Sequence, residues 1–121
     1  MISITIKAYL EKQLQLSCFM ELPEQLPEQF LALEVKGMGQ ENHLHRAIAM
    51  VQSYAPSRYE AAQLNERVKD AMESLTQLQE ISHCELNTDY DYTDTAAKQY
   101  RWQAVFDLMY YRKEPVYGKF H

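Results

Sequence analysis

Between residues 44 and 53 the chain alternates. Leu44, Arg46, Ile48, Met50 and Gln52 fall on one side and His45, Ala47, Ala49, Val51 and Ser53 on the other, the period of two of a β-strand. Ala55, Pro56 and Ser57 break this pattern. Pro56 removes a ladder donor, and Ser57 can cap a helix, with Glu60 three residues on to complete a capping box. From there Ala61, Leu64, Val68, Ala71, Met72 and Leu75 recur every three or four residues, while Asn65, Glu66, Lys69, Asp70 and Glu73 take the opposite side. That is an amphipathic helix. A strand that feeds such a helix predicts a helix lying on a sheet, with residues 44–75 as the organising unit.

The flanking segments extend this reading. In residues 2–16, Ile6, Tyr9, Leu10, Leu14 and Leu16 suit a short helix that begins near Ser3 or Thr5. Cys18, Met20 and Leu22 alternate with Phe19 and Glu21 as a short strand that Pro23 stops, and Pro23 and Pro27 bracket a polar loop. Residues 30–36 alternate again, with Leu31, Leu33 and Val35 against Phe30, Ala32 and Glu34. Gly37, Gly39, Gln40, Glu41 and Asn42 read as the turn of a hairpin with an extended tip.

Beyond the helix, residues 81–92 place Ser82, Cys84 and Leu86 against His83, Glu85 and Asn87. Residues 100–111 place Trp102, Ala104, Phe106, Leu108 and Tyr110 on one face. The expected order is α-β-β-β-α-β-β. It predicts an α+β fold, an antiparallel sheet of about four to five strands with two helices on one face. Residues 1–121 make a single domain, with residues 113–121 as a tail that stays loose until something binds it.

Composition narrows the function. At 121 residues, with nearly half of them apolar and three glycines, the chain can bury a core without disulfide staples. No apolar run approaches the roughly 18 residues of a membrane span, and the first residues lack the pattern of a signal peptide. The expectation is a protein made and kept in the cytosol, or in an assembly built there. Cys18 and Cys84 are too far apart for a metal knuckle and read as buried, reduced thiols. A formal charge of −5 argues against tight general nucleic-acid binding, which needs clustered lysine and arginine. Passive contact with a sliding polyanion is compatible with it.

Candidate chemistry is sparse. Asp89-Tyr90-Asp91-Tyr92-Thr93 matches the D-x-D-x-T nucleophile loop of haloacid-dehalogenase-type phosphatases. That loop needs a hydrophobic parallel strand before it and a large α/β domain after it, and neither is present in the sequence. With Asp94 the same carboxylates resemble a calcium loop, without its glycine or its bidentate glutamate. His43 and His45, two apart, could share a metal with His83, but no further ligand is evident. No phosphate loop or nucleophile elbow occurs. The reading is therefore of a non-enzyme with no catalytic, cofactor or metal site.

The excess lies in aromatics near the chain end: Tyr90, Tyr92, Tyr100, Trp102, Phe106, Tyr110, Tyr111, Tyr117 and Phe120. Trp102, Phe106 and Tyr100 suit a core; the remainder exceeds what one small sheet needs. Tyrosine and tryptophan bury apolar area while keeping a polar handle, which enriches them in subunit contacts. Gly37, Met38, Gly39, His43, His45, Tyr110, Tyr111, Tyr117 and Phe120 are the candidate subunit or partner interface.

Over nearly its full length the chain resembles the small tail-completion, or tail-terminator, proteins of long-tailed bacteriophages and prophages of Gram-positive bacteria. The resemblance runs through KAYLEKQL, ELPEQLPEQFLALEVKGMGQENH, AMVQSYAPSRYEAAQLNERVKDAMESL and ISHCELNTDYDYTDTAAKQYRWQAVFDL. It is one of pattern and order. It implies a structural virion protein, assembled in the host cytoplasm, that forms a ring, commonly of six subunits. Such a ring caps the tail tube and joins it to the head connector or head-completion protein, and DNA passes through its lumen without specific binding. The segment 37–45 then looks like an arm that reaches a neighbour or the tube. A stand-alone α+β ligand-binding or regulatory domain is the alternative from a different class.

Overall fold

The computed structural model describes residues 1–111. Its elements are α1 (Ile2–Leu14), β1 (Cys18–Phe19), β2 (Phe30–Glu41), β3 (Leu44–Ala55), α2 (Arg58–Glu73), a 3-10 turn (Leu75–Gln77), β4 (Ile81–Asp91) and β5 (Tyr100–Tyr111). They form one five-stranded sheet in the order β1-β2-β3-β5-β4. The α+β class and the order α-β-β-β-α-β-β agree with the hydrophobic pattern.

Both helices cover the same face. That face carries Leu31 and Leu33 of β2, Ala47, Ala49 and Val51 of β3, and Ala104, Phe106 and Leu108 of β5, all buried against Ile6, Leu10, Leu64, Val68, Met72 and Leu75. Small alanines beneath α2 let the helix approach the strands closely. Ser57 caps α2 through Glu60, whose N–H donates to the Ser57 Oγ at 3.1 Å. The return arm of this capping box differs from the usual one, because the Glu60 carboxylate accepts from the Ser57 hydroxyl at 3.0 Å.

α1 ends at Leu14, before Leu16. Gln15 takes the left-handed conformation at φ 57° and its N–H returns to the Glu11 carbonyl. The Arg67 guanidinium then donates to the Leu14 carbonyl at 3.1 Å, tying α1 to α2. Glu11 accepts the Cys18 N–H at 3.0 Å and the Lys7 ammonium at 3.1 Å. The Cys18 contact, with support from Lys7, holds its carboxyl below the usual carboxylate range.

Three expectations are corrected. The first strand spans only Cys18–Phe19 and runs parallel to β2, so the sheet is mixed. The chain bends at Met20 and Glu21, before Pro23, and the α1 connection delivers the strand in the same direction as β2. Gly37 and Gly39 do not form the turn. β2 continues to Glu41, with Met38 as an extra residue in a β-bulge and Gly39 at φ +120°, open only to glycine. The turn is Asn42-His43, both at positive φ, the two-residue type I′ geometry that asparagine favours. Bulges at Ser82 and Asn87 also shift the alternation of β4. Ile81, Cys84, Leu86, Asp89 and Asp91 therefore pair with the helix-facing positions of β5, and Ser82 does not.

Candidate interface

Among the described residues neither helix covers the other face of the sheet, and this uncovered face is built differently. At one end a row of rings crosses it. Phe19 meets Phe30 edge-on at 5.8 Å, Phe30 stacks on Tyr54 at 4.4 Å, and the Arg101 guanidinium lies 5.8 Å from the Tyr54 ring and 4.5 Å from that of Tyr92. β1, β2, β3 and β5 each give a member, and Tyr92 follows directly on β4. The strand register makes the row, since Phe30 pairs with Tyr54 and Tyr54 with Arg101.

A hydrogen-bonded relay runs beside it in one donor direction. Arg101 Nη1 donates to Tyr54 Oη at 3.1 Å, and Tyr54 Oη donates to Gln52 Oε1 at 3.0 Å. Gln52 Nε2 donates to Gln103 Oε1 at 2.8 Å, and Gln103 Nε2 donates to Tyr90 Oη. Each group is polarised by the one before it, which stiffens the whole row. Arg101 Nε also donates to the Tyr92 carbonyl at 2.7 Å, so the guanidinium is held in place from two sides.

The residues singled out in the sequence fall in three places. His45, Tyr110 and Tyr111 come together, with His45 stacked on Tyr110 at 5.2 Å and Tyr111 half exposed beside a hollow lined by Met1, Ile2, Thr5 and Glu80. Gly37, Met38 and Gly39 lie on the bulged edge of β2, where the Met38 side chain is exposed, and His43 sits in the turn. Tyr117 and Phe120 lie outside the described residues. The row of Phe19, Phe30, Tyr54 and Arg101 was not among the sequence candidates. Its only sequence signal is that Phe30, Tyr54 and Arg101 occupy positions of their strands that alternate away from the helix-covered face, although Phe30 and Tyr54 are buried.

The D-x-D-x-T carboxylates act within the fold. Asp89 accepts from Asn65 at 2.8 Å and from Lys69 at 3.0 Å, and Asp91 pairs with Arg58 at 2.8 Å. Together they clamp α2 to the edge strand β4. Hydrogen bonds from Thr93 and the Arg58 guanidinium keep the Asp91 carboxyl below the ordinary range. His43, His45 and His83 are not brought together: His83 instead contacts Glu85 at 3.2 Å. Among the described residues no group of three or more His, Cys, Asp or Glu side chains is placed to hold a metal. Cys18 is buried and Cys84 half-buried, and desolvation pushes both thiols up to about 12, so neither is a nucleophile at neutral pH. No helix among the described residues is long and apolar enough to cross a membrane. Neither protein-family models nor characterised proteins give a match to this sequence.

Proposed function

We propose that this chain is a structural subunit of a bacteriophage tail, a tail-completion protein. In this reading it forms a ring, of six subunits, at the end of the finished tail tube and joins the tube to the head connector or head-completion protein. DNA passes through the lumen without specific binding, and the protein resides in the virion at the head–tail junction. The observation that carries the reading is the Arg101 guanidinium and the exposed Tyr92 ring, held in a fixed arrangement over Tyr54 and Phe30, which are themselves buried. Rings and a guanidinium locked in place lose little freedom when a partner covers them, and Arg and Tyr dominate binding energy at protein interfaces. The overall charge of −5 suits a lumen that repels rather than grips a polyanion.

The experiment is removal of the gene from its parent phage or prophage. Electron microscopy of the lysate should show full heads and tubes that fail to join, and supplying the protein in trans should restore joined particles. Normal particles without the gene would sink the reading. A monomer whose melting temperature rises with a metabolite would instead favour a ligand-binding domain.

A further inference from the structure

Two groups of exposed apolar side chains lie at opposite edges of the uncovered face. Met20, Leu22 and Leu26, 47%, 44% and 40% exposed, follow β1, while Tyr90 and Tyr92, 40% and 42% exposed, lie at the end of β4. β1 and β4 are the outermost strands of the sheet. Met20 and Leu22 border the uncovered face, where they line a hollow with Ala32, Glu34, Met50 and Gln52. Single exposed apolar residues need no explanation, but clusters do.

The charges of the two edges differ. Glu21, Glu24 and Glu28 are all exposed and form no ion pair among the described residues. At the other edge Asp89 and Asp91 turn to the helix-covered face, where Lys69 and Arg58 neutralise them. Asp94 accepts the Ala97 N–H, and Lys98 lies on the same loop. What the uncovered face presents there is the Arg101 guanidinium, fixed between Tyr54 and Tyr92 with no carboxylate within 4.0 Å among the described residues.

We propose that these edges bind each other between copies of the chain: the acidic, apolar segment 20–28 of one copy seats on the Tyr90, Tyr92 and Arg101 end of the next. The two surfaces are different, so the contact is heterologous. It passes from copy to copy, and closes into a ring where the rotation allows. The proposal rests on the assembly reading above and names the surfaces that carry it. Pro23 and Pro27 limit the freedom the segment loses on docking.

The test uses sedimentation velocity of the full chain over a range of concentrations. The wild type should associate beyond a dimer. Glu21→Lys with Glu24→Lys, on an exposed loop, should weaken association at least about tenfold, as should Tyr92→Ala with Arg101→Ser. Mixing the two variants should restore one intact junction and give a one-to-one dimer that grows no further. If Tyr92→Ala with Arg101→Ser loses its cooperative melt, Tyr92→Ala alone replaces it. Association unchanged in the variants, or a mixture that forms no dimer, overturns the proposed surfaces while leaving assembly itself standing. A wild type monomeric at every concentration overturns the proposal too, and the gene-removal experiment then decides the tail reading separately.

Discussion

The two faces of the sheet use different physics. The helix-covered face is made of Ala47, Ala49, Val51, Ala104, Phe106 and Leu108, which pack without hydrogen-bonding side chains. Across the same strands the uncovered face carries Gln52, Tyr54, Arg101 and Gln103, joined by directed hydrogen bonds. Burial of apolar area is strong and tolerant of exact shape, so the first face gives the fold its stability. A polar network adds little net stability but fixes side-chain positions. A surface fixed in advance is useful to something that binds it.

The largest effect is expected on the covered face. Val68, fully buried, meets the β-sheet beneath α2. Val68→Asp, or Leu64→Asp beside it, places an unpaired charge in the core and should cost several kcal/mol, on the order of the whole stability margin. Chemical denaturation should find the variant largely unfolded. A variant that melts like the wild type would mean that α2 packs by another face.

A smaller loss is expected where α2 meets β4. Asp89→Ala removes the acceptor of the Asn65 amide, which is 1% exposed, and so strands a buried donor. The cost should be about 1–3 kcal/mol, read as a lower denaturation midpoint. Asp89→Asn keeps an acceptor and should recover part of it. Neither change should alter phosphatase activity, because the wild type is expected to have none. Metal-dependent phosphate release by the wild type would overturn the non-enzyme reading.

On the uncovered face Tyr54→Phe keeps the stack on Phe30 and deletes only the hydroxyl between Arg101 and Gln52. The expected loss is about 1 kcal/mol, with a larger effect on self-association than on melting. The reverse ranking would mean that the hydroxyl of the buried Tyr54 serves the fold rather than a partner.

Acid should weaken the α1–β1 junction. The folded-state carboxyl of Glu11 is lowered, chiefly by the Cys18 N–H. Its contribution is therefore present above the unfolded carboxylate value and is lost as pH falls through the lowered one. Between pH 5 and the acid limit, Glu11→Gln should flatten the decline in stability relative to the wild type. An identical slope in both would show that this junction does not titrate.

The contrast also separates what was legible in the sequence. Alternation in residues 30–36, 44–53 and 100–111, and the three-to-four spacing from Ala61 to Leu75, report local periodicity. These located β2, β3, β5 and α2 and their buried faces. The bulge at Met38 was hidden, because Gly37 and Gly39 suit a turn as well as a bulge and only the partner strand decides between them. β1 is two residues long and pairs in parallel, so its place depends on α1 rather than on a pattern of its own. The aromatic row was the least legible. Phe19, Phe30, Tyr54, Arg101 and Tyr92 lie far apart in the chain and meet only through the register of separate strands.

The smallest effect on stability is expected at the chain end. The helices and strands of the described residues, which end at Tyr111, fill a core among themselves, and the Tyr111 N–H donates to the Glu80 carbonyl at 2.8 Å. Removing residues 117–121 leaves those contacts in place, and if the end of the chain serves a partner the melting temperature of the monomer should stay within about 1 °C, well under the shift that a loss of 1 kcal/mol produces. Joined tails should nonetheless be lost, because aromatic area at a chain end is suited to a partner. Met38→Ser is the matching probe on the hairpin. It changes an exposed side chain at the bulge and leaves Gly39, whose φ no other residue adopts without strain. If truncation instead lowers the melting temperature as far as Tyr54→Phe does, the end of the chain packs within the monomer and belongs with the covered face rather than with the surface used between copies.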